Sequence, residues 1–356
     1  MSDELSRVRI FAKTVRYSGD KLRAKGSIKR SNDEKNSFFS MNSMLINPLV
    51  TPVISKSIEN VINRLQIPHE SVKAYVYASS DIQAECHAGD DVDCIIRLSS
   101  GLIDILEDKE IDFVVGHEIG HFIYAHGSAI ASNRSESLEF SIQQRAQEIS
   151  ADRIGLLACG SLDHSIRAMM KTMSGLSSKY LQFNIGAFLS QLSNTEKFKS
   201  QIDSNSSHPS ILVRCRALLW FSMSETFKSG EQNYQPNEVA KLNKKIKDDI
   251  DKFVDSIARE RINTLKKDVA LWLCAAKIIE DNAFNSNEQQ IFNEMFGQEL
   301  LDKLKNFLSG HQDASSVQKS VSEKLDAAVR NLQGEIPVSF ENEMAVLEKE
   351  ISSNFV

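Results

Sequence analysis

Residues 111–123 read Ile-Asp-Phe-Val-Val-Gly-His-Glu-Ile-Gly-His-Phe-Ile. Apolar side chains recur here every three or four residues, which predicts an amphipathic helix. At 100° per residue, His117 and His121 lie one turn apart and within about 40° of each other, so both imidazoles can reach one metal ion. Two interior glycines, Gly116 and Gly120, cost a helix roughly 2 kcal/mol relative to alanine, which indicates close packing by another segment.

A second pair of candidate metal-site residues follows 27 residues after His121. Glu148 and Asp152 lie one turn apart on the next predicted helix, over 136–158, and share a face. Glu148 can complete a set of two histidines and one glutamate, which leaves the fourth position of a tetrahedral zinc ion for water. Asp152 is then placed to accept the free ring N–H of a ligating histidine and to fix its tautomer. The alternative is an ordinary solvated helix face.

The composition favours a mainly helical protein of a reducing compartment. The 15 glycines and 6 prolines among 356 residues are roughly half the usual share, which argues against turn-rich all-β and low-complexity chains. The five cysteines form no C-x-x-C pair, which argues against a disulfide framework and predicts a cytoplasmic location. No apolar run approaches the roughly 18 residues of a membrane span, so we expect no transmembrane segment and at most peripheral membrane contact.

Three regions are predicted along the chain. Residues 1–59 form a basic segment, whose first 40 residues carry ten Lys and Arg against five Asp and Glu in a chain of net charge −6. No aromatic residues alternate with these charges in a way that suggests base stacking, so no nucleic-acid partner is predicted. Residues 60–229 contain both histidines, and residues 238–356 form a helical accessory domain with amphipathic stripes. Residues 276–288 of that domain are faintly similar to TerB-like domains of tellurite-resistance proteins.

The pattern of residues 117–121 followed by 148–152 resembles the gluzincin metallopeptidases, and specifically the family of the CAAX prenyl endopeptidase and the HtpX-like proteases. Flanking stretches also agree, at residues 74–78, 82–84, 100–106, 151–160 and 207–210, and at Arg214. The resemblance covers about residues 60–225. It departs from the family at Gln83, where asparagine is usual, and in the absence of the family's frequent transmembrane helices.

The resemblance implies an α+β, predominantly helical fold, in which a zincin-like metallopeptidase domain with a small β-sheet precedes the helical C-terminal domain. Two strands are predicted from the sequence, at 72–78 and 94–98. The resemblance implies that an extended peptide pairs with a strand edge next to the zinc helix. The sequence leaves open whether the strand at 94–98 is that edge or a central strand.

The expected activity is that of a zinc-dependent endopeptidase acting on protein or peptide substrates. One Zn²⁺ per chain is held by His117, His121 and Glu148. Glu118 acts as general base, taking a proton from the metal-activated water and passing one to the leaving amine. The tetrahedral intermediate needs a cationic or hydrogen-bonding partner, for which His208 is the candidate with support from Arg214. His208 could instead occupy the fourth zinc position or be an ordinary loop histidine.

A different interpretation treats the chain as a latent or inactive metal-holding, peptide-binding adaptor that acts through its helical C-terminal domain, where a protein partner would dock. The intact Glu118 argues against this interpretation, because a binding module needs no general base. His126 is excluded as a metal ligand, since a continuous helix would point it about 140° from His121 and 180° from His117.

Overall fold

Helices make up most of the chain, and one small sheet accompanies them. The computed structural model describes residues 11–20, 38–88, 94–126, 137–195, 210–229, 235–253, 255–280, 284–310 and 313–354. The chain divides into two compact units, Met1–Ala131 with Ile142–Asp255, and Ser132–Ser141 with Ser256–Val356. The α+β, predominantly helical fold class is confirmed. The domain limits drawn from the sequence stay predictions.

Among the described residues, the sheet has four strands in the order β1-β2-β4-β3. The strands are β1 (Met44–Leu45), β2 (Val72–Tyr77), β3 (Ala84–Ala88) and β4 (Cys94–Ser99). Strands β2 and β4 are the two predicted from sequence, and they pair in parallel, whereas β1 and β3 add antiparallel strands on either side. The strand at 94–98 is therefore central, and β1 and β3 are the two edge strands among those described.

The first unit contains the helices that frame the sheet. They are α1 (Pro52–Leu65), α2 (Ser100–Ile105), α3 (Asp108–Ile123), α4 (Leu138–Cys159), α5 (Leu162–Ser174), α6 (Ile185–Thr195), α7 (Ile211–Ser222), α8 (Glu225–Ser229) and α9 (Pro236–Phe253), with the first four residues of α4 assigned to the second unit. Helix α3 contains both predicted histidine ligands and packs against α1, α5 and β3.

The start of α3 is fixed by two glutamates. Glu107 and Glu110 form a reciprocal capping box that satisfies backbone N–H groups of the first turn. The Glu110 carboxylate is also 2.6 Å from the Lys171 ammonium of α5, and both side chains are fully buried. Because a buried charge is costly unless it is paired, this contact fixes where α3 begins relative to α5.

Helix α4 crosses α3 at the two glycines. A Cβ atom on Gly116 would collide with the Ala158 Cβ, and one on Gly120 would lie 3.0 Å from the Ala151 Cα. Neither position leaves room for a side chain, so the close packing expected from the interior glycines is present. The crossing brings the face of α4 that carries Glu148 next to the histidines of α3.

Residues 11–20, with helical geometry over 11–15, belong to the core of the first unit. Three hydrogen bonds hold them to the end of α3 and the interior of α4. The Tyr124 hydroxyl donates to the Ala12 carbonyl at 2.8 Å, the Tyr17 N–H to the Ser150 hydroxyl at 3.1 Å, and the Arg153 guanidinium to the Val15 carbonyl at 2.7 Å. This part of the predicted basic segment is therefore integral to the fold.

The second unit is a set of helices with its own apolar cores. It contains α10 (Ser256–Ile278), α11 (Ser286–Phe296), α12 (Gln298–Ser309), α13 (Ala314–Glu335) and α14 (Phe340–Asn354). Helix α10 packs against α11, α13 and α14, and Cys274, Phe292 and Leu332 are fully buried there. Of the amphipathic stripes predicted from sequence, the later one contributes Val321 and Leu332 to these cores, whereas the earlier one lies on α9 and contributes Leu242, Ile246 and Ile250 to the core of the first unit. The likeness to TerB domains stays a prediction.

Candidate metal centre

Two helices bring the three predicted ligands to one point. His117, His121 and Glu148 each offer a ligand atom, and these atoms all lie within 4.8 Å of one another. The two Nε2 atoms are 3.0 Å apart, and each lies 3.5 Å from a different oxygen of Glu148. A tetrahedral zinc ion with bonds of about 2.0–2.1 Å separates its ligand atoms by about 3.3–3.4 Å. The donor set therefore has the dimensions of a zinc site.

The hydrogen bonds around His117 leave its Nε2 atom for a metal ion. Its Nδ1 atom is 3.0 Å from Oδ1 of Asp152. A carboxylate only accepts hydrogen bonds, so Nδ1 carries the proton and the Nε2 of the neutral ring presents a lone pair. If His121 is held in the same tautomer, two lone pairs face each other at 3.0 Å. In the metal-free site a proton on one of the two rings bridges this distance; with both rings neutral the two lone pairs can bind one cation, and two imidazoles with one carboxylate suit zinc.

Asp152 is itself fixed by Arg214. The guanidinium donates from Nε to Oδ2 at 2.8 Å and from Nη2 to Oδ1 at 2.6 Å, and its Nη1 lies 2.8 Å from Oε2 of Glu148. Burial acts to raise the pKa of Asp152, but the Arg214 charge outweighs it and the pKa is lowered. The carboxylate therefore stays ionised, and its two oxygens are oriented by a bidentate contact.

His121 has a different support, built from His126 and Asp20. The Nδ1 atoms of His121 and His126 are 2.8 Å apart, and Nε2 of His126 is 3.0 Å from Oδ2 of Asp20. Asp20 also accepts two hydrogen bonds from Arg16, both at 2.8 Å, and one from Gln143 at 3.1 Å. Burial acts to raise the pKa of Asp20, but the hydrogen bonds from His126 and Arg16 lower it to about 2.

The direction predicted for His126 from a continuous helix is wrong. Helix α3 ends at Ile123, and Ala125 takes a left-handed backbone conformation with φ of 53°. The His126 N–H then donates to the His121 carbonyl at 2.9 Å, which turns the chain back over the helix end. Neither the helical spacing nor Asp20, 106 residues away, signals this contact in the sequence.

The two histidines of α3 differ in basicity. Burial alone would lower the pKa of His117, but hydrogen bonds to Asp152 and Glu148 raise it to about 10. Burial and the positive charge on His117 lower the pKa of His121 to about 3. In the metal-free site, His117 is therefore the protonated ring, and its Nε2–H donates to Nε2 of His121.

Glu118 lies on α3 between the two histidines and is buried. Its carboxylate forms no hydrogen bond or ion pair with any residue that the structure describes. Burial raises its pKa to about 7, against the opposing effect of the His117 charge. An unpartnered carboxylate with a pKa near neutrality can accept a proton from a water molecule.

The remaining predicted site residues are placed as follows. Arg214 is buried on α7, and its guanidinium is engaged by the carboxylates of Asp152 and Glu148. His208 lies outside the described residues. Strand β3 packs against α3, and within the described part of the chain its outer edge is paired with no other strand.

Comparison with known proteins agrees with this geometry. Residues 48–138, which include both histidines, match the profile of Peptidase family M48. The chain is 29% identical over 118 residues to Metalloprotease YcaL of Escherichia coli (strain K12), covering 31% of this chain and 42% of that protein. It is 27% identical over 161 residues to the chloroplastic Plastoglobule-localized metallopeptidase 48 of Arabidopsis thaliana, covering 38% and 47% respectively. Over these residues the chain is similar to metallopeptidases of family M48.

The matched regions span less than half of the length of either relative. No solved structure gives a significant match to the fold. None of the helices in the described ranges combines the length and apolarity needed to cross a bilayer.

Proposed function

We propose that the chain is a zinc-dependent endopeptidase that hydrolyses peptide bonds of protein or peptide substrates with one Zn²⁺ per chain. The observation that carries the proposal is the donor set of His117, His121 and Glu148, with separations of 3.0–3.5 Å, next to the unpartnered Glu118. The match of residues 48–138 to family M48, which includes His117, Glu118 and His121, also supports it.

The residues divide the chemistry between them. When bound, zinc supplies Lewis acidity and lowers the pKa of its water to about 7. The Glu118 carboxylate would accept the proton of the attacking water and would later donate a proton to the leaving amine. Asp152 keeps the proton of His117 on Nδ1, and Arg214 holds the carboxylates of Asp152 and Glu148 in place.

Substrate recognition is proposed at the sheet edge. An extended peptide that pairs with β3 adds a strand through backbone hydrogen bonds, and β3 packs against the helix that carries Glu118. This arrangement would hold the scissile bond in a fixed register relative to the metal. His208 stays the candidate partner for the negative charge that develops on the peptide oxygen. Arg214 is proposed to act through the carboxylates that it contacts.

The subgroup within the family and the cellular location of the chain are also proposals. The subgroup of the CAAX prenyl endopeptidase and the HtpX-like proteases rests on the sequence resemblance over about residues 60–225. The cytoplasmic location rests on the pattern of five cysteines.

The proposal is tested by zinc content and proteolysis together. Zinc per chain is measured on the purified protein by mass spectrometry, and cleavage of a fluorescently labelled casein is followed for wild type, Glu118→Gln and His121→Ala. We expect stoichiometric zinc in the wild type. Glu118→Gln should keep that zinc and lose about 10²–10⁴-fold in rate. His121→Ala should lose both, and Glu225→Gln, an exposed glutamate paired with Lys228, should lose neither.

Two results would contradict the proposal. Turnover at the wild-type rate in Glu118→Gln would show that Glu118 is not the general base. Stoichiometric zinc without turnover of casein or of a peptide library would favour the metal-holding adaptor.

A further inference from the structure

We infer that His126 and Asp20 are positioning residues for the metal ligand His121, so that residues 11–20 are a working part of the metal centre. The inference rests on the proposed zinc site. It goes beyond the family match, because the matched region begins at residue 48 and so contains His126 but not Asp20.

The protons between Asp20 and His121 follow a fixed order. The Asp20 carboxylate only accepts, so the Nε2 atom of His126, 3.0 Å away, carries a proton. In the neutral His126 ring the Nδ1 atom is then an acceptor. It lies 2.8 Å from Nδ1 of His121, which must therefore be the donor. This fixes the tautomer of His121 that presents the Nε2 lone pair to Glu148 and His117.

Asp20 is held rigidly. Its side chain is fully buried and accepts from the Nε and Nη2 atoms of Arg16, both at 2.8 Å, in the bidentate geometry that orients a carboxylate best. The amide of Gln143 on α4 donates to Oδ1 at 3.1 Å, and the Asp20 N–H donates to the Tyr17 carbonyl at 3.0 Å. Asp20 is therefore fixed both from its own segment and from α4.

His121 has no other such support. Among the described residues, His126 is the sole hydrogen-bond partner of its Nδ1 atom, while Nε2 faces the metal position. Asp152 and Arg214 act on His117 and Glu148 instead. Hydrogen bonds of this kind orient a ligating imidazole, and their loss typically weakens metal affinity 10- to 100-fold.

The test compares zinc dissociation constants by competition with a chromophoric chelator. His126→Phe keeps the ring size and removes the acceptor, so affinity should fall about 10- to 100-fold. His126→Asn offers a carbonyl oxygen near the Nδ1 position and should recover most of that loss. His69→Phe is the matched control: it makes the same exchange at an exposed histidine that contacts Asn63, and should bind zinc as the wild type does.

A spectroscopic readout separates positioning from general destabilisation. With Co²⁺ in place of zinc, the d–d absorption reports the ligand geometry; it should change in His126→Phe and be close to wild type in His126→Asn and His69→Phe. Wild-type affinity and spectrum in a folded His126→Phe would overturn the inference. If His126→Phe does not fold, Asp20→Asn decides, because an unchanged zinc affinity there would overturn it equally. His121→Ala tests the zinc site separately, since normal zinc binding in that variant would contradict the proposed function as well as this inference.

Discussion

The two sides of the metal centre hold their histidines in different ways. On one side, His117 donates to Asp152, which is paired with the Arg214 guanidinium. On the other side, His121 contacts the neutral ring of His126, which is connected to Asp20. The first support comes from α4 and α7, and the second comes from the end of α3 and the N-terminal segment. We call His117 with Asp152 and Arg214 the charged side of the metal centre. We call His121 with the neutral ring of His126, and Asp20 behind it, the neutral side.

The difference has an electrostatic consequence. The anionic Asp152 next to His117 favours the protonated ring, and the pKa of His117 is raised to about 10. The neutral His126 offers His121 no such charge, and burial lowers the pKa of His121 to about 3. Two ligands of one ion, four residues apart, therefore differ in basicity, because Asp152 and Glu148 hold a proton on His117 and the resulting charge, together with burial, lowers the pKa of His121.

The largest expected effect comes from breaking the charged side. Arg214→Met leaves the buried Asp152 and Glu148 carboxylates without a cation, which should lower the free energy of unfolding of the metal-free protein by about 3–5 kcal/mol. Zinc should restore part of that loss, because it offsets the charge of Glu148. Urea unfolding in EDTA and in excess zinc measures both values.

Arg216→Met is the control on the same helix. Arg216 pairs with Asp249, both side chains are partly exposed, and the loss should be about 1 kcal/mol or less with no recovery by zinc. Equal losses in the two variants, or no zinc recovery in Arg214→Met, would contradict the role of Arg214 beneath the carboxylates.

The next effect tests the neutral side by acid. The pKa of Asp20 is about 2 in the folded protein against 3.8 for the free side chain, because hydrogen bonds from His126 and Arg16 outweigh burial. A lowered pKa stabilises the fold above the unfolded value and loses that contribution as the pH falls from about 4 to 2. The contribution at neutral pH is about 2 kcal/mol. Asp20→Asn should therefore be less stable than wild type at pH 6, and the difference should shrink towards pH 2.5.

A similar gap between wild type and Asp20→Asn at both pH values would show that the carboxylate charge is not what stabilises this side. Asp163→Asn, on the exposed start of α5 and paired with Arg167, serves as the comparison and should change little at either pH.

A smaller effect sharpens the contrast in basicity. Zinc needs the Nε2 lone pair of both rings, so a protonated His117 must release its proton on binding, whereas His121 has none to release. Near pH 8 we expect about one proton per zinc and a roughly tenfold rise in affinity per pH unit, which fades as the pH approaches 10. Calorimetry in buffers of different ionisation enthalpy measures the release. Two protons, or none, would contradict the assignment.

The smallest effect concerns the turn that brings His126 to His121. Ala125 has φ of 53°, a conformation that glycine adopts without strain, so Ala125→Gly should stabilise the protein by roughly 0.5–1 kcal/mol. Zinc affinity should stay unchanged, because the contact itself is kept. Ala345→Gly, on the exposed face of α14, should destabilise by a similar amount and provides the opposite sign. Thermal unfolding of the three proteins checks both signs.

Much of the fold could be predicted from the sequence because its signals are local. The spacing of apolar residues predicts α3, and the interior glycines indicate the close crossing of α4. Strands β2 and β4 follow from their apolar and β-branched runs. The edge strand β3 is missed although Ala-Glu-Cys-His-Ala alternates apolar and polar residues, because the run has only five residues and contains no β-branched side chain and no Phe, Tyr or Trp.

In the candidate site, too, the residues with a local sequence signal could be predicted and those held by long-range contacts could not. The ligands His117, His121 and Glu148 could be proposed together because of two one-turn spacings. One places His117 and His121 on a single helix face, and the other places Glu148 and Asp152 on a face of the next helix. The neutral side could not, because it depends on where α3 ends and on a turn with a left-handed alanine. Asp20 belongs to a segment that the sequence presents only as basic. Its role depends on a contact across 106 residues, which no local pattern encodes.

The central claim is that one zinc ion joins the charged and the neutral side. A crystal structure of the purified protein with anomalous data collected at the zinc edge tests it most directly. We predict one peak within about 2.0–2.2 Å of Nε2 of His117, Nε2 of His121 and a carboxylate oxygen of Glu148. A zinc-loaded protein with its anomalous peak elsewhere, or with only one of these histidines bound, would contradict the account.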